Sequence, residues 1–130
     1  MKKVLKKMAI FSLIIGGISF AFAVNPPTVA LSPVAGSAIT VLPNEIFSFT
    51  IIFTNTDVLT VHADDEYQTE IVPIPESKRN VEQESRIRYG DVIPGYDMIK
   101  TYTVSVFNIV GDVASESIIY RTTPRPITNN

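Results

Sequence analysis
The chain has 130 residues, with 11 Lys and Arg against 13 Asp and Glu for a net charge of −2, one His and no Cys. That length holds one ordinary domain, and the lack of Cys excludes a disulfide scaffold, a Cys-ligated zinc site, an iron–sulfur cluster and a thiol nucleophile. A hydrophobic fraction of 45% with nine Pro describes a compact, turn-rich domain, not a disordered chain.

The first element in chain order is a leader. Lys2, Lys3, Lys6 and Lys7 precede an apolar run from Ala9 to Phe20, and Ala21-Phe22-Ala23 supplies small residues at the −3 and −1 positions of a cleavage site. Residues 1–23 therefore read as a signal peptide, forming an N-terminal signal helix and cleaved after Ala23. The 17 residues from Met8 to Val24 sit at the short limit for a membrane span, and Gly16-Gly17 weakens a helix there. An uncleaved anchor is the alternative, and membrane contact is expected only through this segment. Without the leader, residues 24–130 carry seven Lys and Arg against thirteen Asp and Glu, a net charge of −6. Such an acidic exported domain is a poor partner for nucleic acid or anionic lipid.

The rest reads as strands. Asn25-Pro26-Pro27 is stiff and extended because proline fixes its own φ and restricts the residue before it. Short strands are predicted over 28–31 and 38–42, closed by Ser32-Pro33, Gly36-Ser37 and Pro43-Asn44. Over 46–54, Phe47, Phe49, Ile51 and Phe53 share one face while Ser48, Thr50 and Thr54 share the other, the strongest strand pattern in the chain. Asn55-Thr56-Asp57 is a turn, a strand over 58–62 follows, and Ala63-Asp64-Asp65-Glu66 is an acidic turn. A further strand over 67–72 ends at Pro73-Ile74-Pro75.

Residues 76–88 are the most charged stretch. Glu82 with Arg86 and Glu84 with Arg88 have helical i, i+4 spacing, but strict alternation from Val81 to Tyr89 fits an exposed strand better. Gly90 and Pro94-Gly95 read as turns. Strands are predicted over 100–107, with Tyr102, Val104 and Val106 inward, and over 116–121, separated by a turn at Gly111. Seven or eight short strands with no long amphipathic helix imply a sandwich or small barrel, and because one sheet cannot bury the Phe47/Phe49/Ile51/Phe53 face alone, a second sheet must cover it.

The segment from Tyr102 to Pro124 has the order Tyr, alternating valines, Asn, a Gly turn, Ser, a closing strand, then Thr and Pro. It resembles the last two strands of a fibronectin type III domain or a related bacterial immunoglobulin-like domain. Pro26-Pro27-Thr28-Val29 and Phe49 to Asp57 are similar to the first strands of such modules. The resemblance covers about half of residues 24–130. It lacks the Trp common on the second strand of fibronectin type III domains, and Tyr96 and Met98 replace the usual Leu and Pro before the tyrosine. It implies an all-β, immunoglobulin-like (fibronectin type III-like) antiparallel sandwich of about seven strands over residues 24–130. It also implies that Tyr102 is a tyrosine corner, its hydroxyl bonding to upstream backbone.

Catalytic signals are weak. His62 is the sole histidine and lies at a strand end, with no Gly-x-Ser-x-Gly or other nucleophile signature to recruit it. Asp64, Asp65, Glu66, Glu82 and Glu84 could in principle pair for glycoside cleavage, but no aromatic-lined cleft accompanies them. Arg88-Tyr89-Gly90-Asp91 is a turn, not an integrin-type tripeptide. The tyrosines at 67, 89, 96 and 120 read as half-buried strand residues before they read as a sugar-stacking face. Asp57, Asp64, Asp65 and Glu66 lie in or beside two successive turns, and oxygen ligands on loops suit calcium, although no Asp-x-Asp-x-Asp-Gly loop is present.

The expected function follows by class. The chain reads as an exported, non-enzymatic binding or adhesion-type module, secreted, periplasmic or at the cell surface, with a protein or glycan of the cell envelope as partner and no cofactor. The alternatives are a small secreted enzyme inhibitor using the 73–80 loop, or a calcium-stabilised structural spacer.

Overall fold
The computed structural model describes residues 24–127; the predicted signal segment lies outside them. Eight strands follow one another: β1 (Thr28–Ser32), β2 (Ala38–Val41), β3 (Ile46–Thr54), β4 (Val58–Ala63), β5 (Glu70–Val72), β6 (Ser85–Val92), β7 (Ile99–Phe107) and β8 (Val113–Thr122). A single 3-10 turn, Glu76–Lys78, interrupts the connection from β5 to β6. The strands form two sheets, one in the order β1-β3-β6 and one in the order β2-β8-β7-β4-β5. The chain is a two-layer β-sandwich.

Alternation explains the packing. Phe47, Phe49, Ile51 and Phe53 of β3 are buried, while Ile46 and Ser48 are exposed and Thr50 half-buried. Tyr102, Val104 and Val106 of β7 and Ile118 and Tyr120 of β8 are buried from the opposite sheet. The two faces interdigitate through rings: Phe47 lies 3.9 Å from Tyr120 and 5.3 Å from Tyr102 between centroids, and Phe49 lies 6.1 Å from Tyr102. The Tyr120 hydroxyl donates to the Ser48 carbonyl at 3.2 Å, giving this ring a polar partner across the layers.

Turn chemistry fits the sequence. Asn44, Asn55 and Asn80 hold φ near +60°, a region that asparagine tolerates better than most residues, and Gly36 and Gly111 lie at φ 80 and 92.

Several expectations are corrected. The sandwich is not wholly antiparallel, because β2 runs parallel to β8, Ala38 opposite Ile119 through Val41 opposite Thr122. The strand predicted over 67–72 begins only at Glu70, after an exposed stretch that has no alternation to pair. The strand predicted over 81–89 runs instead from Ser85 to Val92. Gly90 therefore lies inside a strand, not in a turn. A Cβ there would come within 3.2 Å of the Phe47 carbonyl, so the neighbouring backbone explains the glycine. The charges of β6 do sit on a sheet edge, and Lys78 Nζ occupies the Arg86 carbonyl at 2.8 Å. Charge and a capped carbonyl both discourage another strand from pairing there.

Candidate functional site
The densest group of titratable side chains lies at one end of the core, where the acidic turn after β4 meets β6 and β7. Alternation along β7 sends Lys100 inward with Tyr102, and its side chain is 7% exposed. The Lys100 Nζ lies 3.5 Å from Asp65 Oδ1, 3.3 Å from Glu66 Oε2 and 3.6 Å from Asp91 Oδ2. It also stands 5.5 Å from the Tyr102 ring centroid. Asp91 reaches this place because it is opposite Phe47 in the β3–β6 register and shares its inward face.

Burial alone would lower the basicity of the Lys100 amine. Asp91, Asp65 and Glu66 more than offset it and hold the amine above its ordinary value. Tyr102 donates to Asp91 Oδ2 at 2.6 Å, and Tyr89 donates to Glu70 Oε1 at 3.0 Å. Burial first, then the bonded carboxylate, pushes both phenols far above the ordinary tyrosine range. The Tyr102 hydroxyl thus bonds a side chain on β6 and not upstream backbone, which corrects the tyrosine-corner expectation. Asp91, at an inward position directly across the core, offers it a charged acceptor.

The four carboxylates read as calcium ligands are not brought together. Asp57 and Asp64 flank opposite ends of the six-residue β4, about 20 Å apart at a strand rise of about 3.3 Å per residue. Asp64 Oδ1 accepts from the Thr101 amide at 3.1 Å, and Asp65 and Glu66 face the Lys100 ammonium. A positive charge of the chain itself stands where a cation would have to sit. Among the described residues no group of three or more His, Cys, Asp or Glu is arranged to hold a metal ion. His62 bonds Thr69 through Nδ1 at 3.0 Å on the outer face of the larger sheet, away from this group.

Lys100 is the residue that sequence reasoning missed. The period-two pattern that placed Tyr102, Val104 and Val106 inward places Lys100 inward as well. Its charge argues for the surface, and three carboxylates, two adjacent in the turn after β4 and one on β6, reverse that preference.

Other surfaces are simpler. A groove of about 370 Å³ beside β2, β7 and β8 is lined by Thr40, Asp97, Met98, Ile99, Arg121 and Pro124, among others. Tyr67 and Tyr96 are exposed, Tyr89 is half-buried and Tyr120 is buried, so the four tyrosines do not form one face.

Comparison with protein-family models, with curated proteins and with solved structures finds no match to this chain.

Proposed function
We propose that the chain is an exported, non-enzymatic immunoglobulin-like module that binds a protein or glycan at the cell envelope. The carrying observation is the strand order. With β4, β7 and β8 taken as strands C, F and G, β7 lies between its two neighbours, as F does in immunoglobulin sandwiches, and β1-β3-β6 takes the order A-B-E. The β2 strand adds to the G edge and β5 to the C edge. The leader pattern of residues 1–23 supports export. In this reading the acidic cluster is structural, its carboxylates being engaged by Lys100, Tyr89, Tyr102 and the Thr101 amide. The 73–80 connection, the candidate inhibitory loop, is tied to the body by buried Ile74, by Lys78 Nζ on the Arg86 carbonyl and by the Asn80 amide on the Thr56 carbonyl, which favours a surface-binding reading over insertion into a cleft.

The test is titration of labelled residues 24–130 onto the isolated envelope of the source cells. Saturable binding, competed by unlabelled protein, is the expected result. Linear, uncompeted association would overturn the reading.

A further inference from the structure
Asn108, buried at the end of β7, builds the turn to β8. Its Oδ1 accepts from the Val110 and Asp112 amides at 3.1 and 2.9 Å, and its Nδ2 donates to Asp112 Oδ2 at 3.1 Å. Its own amide donates to the Asp112 carbonyl, and its carbonyl accepts from the Gly111 amide. The two residues held out by this frame are aliphatic: Ile109 is 70% exposed and Val110 62%, where turns ordinarily carry polar side chains. They extend an apolar row. Val58, Phe107 and Val113 stand directly opposite one another across β4, β7 and β8 on the outer face of the larger sheet, with Val58 and Val113 exposed and Phe107 half-buried. None of the five side chains belongs to the core. The same end of the sandwich receives the N-terminus: Asn108 Nδ2 also donates to the Asn25 carbonyl at 3.2 Å, so the chain enters the body beside this turn. The apolar run from Ala9 to Phe20 ends only a few residues upstream.

We propose that the β7–β8 turn is a membrane-docking tip, which inserts Ile109 and Val110 into a lipid surface of neutral headgroups and brings Val58, Phe107 and Val113 to its interface. The place of the leader decides the occupant. A bilayer that takes up residues 9–20 during export lies against this end of the body, and the tip keeps the body there once the leader is cut. Size points the same way. Five side chains fall far short of the about 20 to 30 residues a side of a stable protein interface, so this patch alone holds neither a second copy nor a folded partner. Insertion into lipid needs no complementary surface and gains from each aliphatic group that leaves water. Charge selects the lipid: no Lys or Arg occurs from Thr101 to Tyr120, and Asp112 and Glu82 are bonded to the Asn108 and Asn25 side chains beside the turn, so an anionic headgroup finds no counter-charge. This inference does not depend on the protein or glycan partner proposed above, and vesicles of lipid alone test it separately.

The chain has no Trp, so a single Trp introduced at one site reports only its own surroundings. All core side chains lie between Leu31 and Tyr120, and residues 24–130 keep them without the leader. Val110→Trp in residues 24–130, mixed with phosphatidylcholine vesicles, should shift its emission to the blue and be quenched by brominated acyl chains. Tyr67→Trp, in the exposed stretch beyond the opposite end of β4, should do neither. In the chain without Trp, the double change Ile109→Ser with Val110→Ser should weaken co-sedimentation with the vesicles at least about tenfold, no more than the burial of one aliphatic side chain supports. The thermal melt should stay as it was, because both side chains are exposed. An unshifted Val110→Trp chain, equal shifts at both positions, binding that requires anionic lipid, or a double variant that binds as wild type does would each overturn the proposal. A blue shift without lipid, together with a doubled mass in solution, would overturn it in favour of a second copy.

Discussion

Tyr102 and Asp91 join the two sheets: the hydroxyl from the centre of β7 donates to the β6 carboxylate at 2.6 Å, and the same Asp91 Oδ2 lies 3.6 Å from the Lys100 amine. One oxygen therefore serves a neutral donor and a cation. Tyr102→Phe keeps the ring contacts with Phe47 and Phe49 and removes only the donor. A hydrogen bond to a charged group is worth about 1.5 to 3 kcal/mol, and the partly exposed Asp91 recovers some of that from water. Loss of about 1 to 2 kcal/mol in denaturant unfolding is expected, whereas an unchanged midpoint would mean that the bond contributes nothing to the fold.

The register of β3 gives a sharper contrast. Phe49 is 1% exposed and packs on Tyr89, Tyr102 and Tyr120, so Phe49→Ala should cost about 3 to 5 kcal/mol through lost transfer energy and a cavity. Thr50, one residue on and facing the other way, should cost under about 1 kcal/mol as Thr50→Ala. Equal effects would place the strand one residue out of register.

Alkali should unfold the protein cooperatively. The phenols of Tyr89, Tyr102 and Tyr120 are raised above 10.0 by burial, the first two also by Glu70 and Asp91 respectively, and Lys100 is raised above 10.5 by its three carboxylates. All four hold their protons more tightly folded than unfolded. Their stabilisation is thus complete below pH 10 and is lost as the pH rises beyond it, at up to about 1.4 kcal/mol per pH unit for each group and less for the half-buried Tyr89. A denaturant midpoint that is flat from pH 9 to 11.5 would contradict these environments.

Calcium should do little. Because the Lys100 ammonium already stands between Asp65 and Glu66, thermal melts in chelator and in about 5 mM calcium, a concentration that saturates weak extracellular sites, should coincide. A rise of more than a few degrees with calcium would restore the structural-spacer reading.

The long strands were legible because most positions of their two faces differ in chemistry: Phe47, Phe49, Ile51 and Phe53 against Ser48, Thr50 and Thr54 in β3, and Tyr102, Val104 and Val106 against Thr101, Thr103 and Ser105 in β7. The turns at Asn44, Asn55 and Asn80 were legible through their residue type. What escaped was whatever depends on partners distant in sequence. Alternation says nothing of direction, so the parallel pairing of β2 with β8 had no local signal. Gly90 looked like a turn, since the Phe47 carbonyl that crowds it lies 43 positions earlier in the chain. Nothing local marks Lys100 or Asp91, and only their meeting across the sandwich sets the buried amine beside the half-buried carboxylate.

Export is the premise on which the functional reading rests, and it is directly measurable. The chain expressed in its source cells should be recovered outside the cytoplasm, with N-terminal sequencing beginning at Val24. A chain still beginning at Met1 and soluble in the cytoplasm would contradict the account.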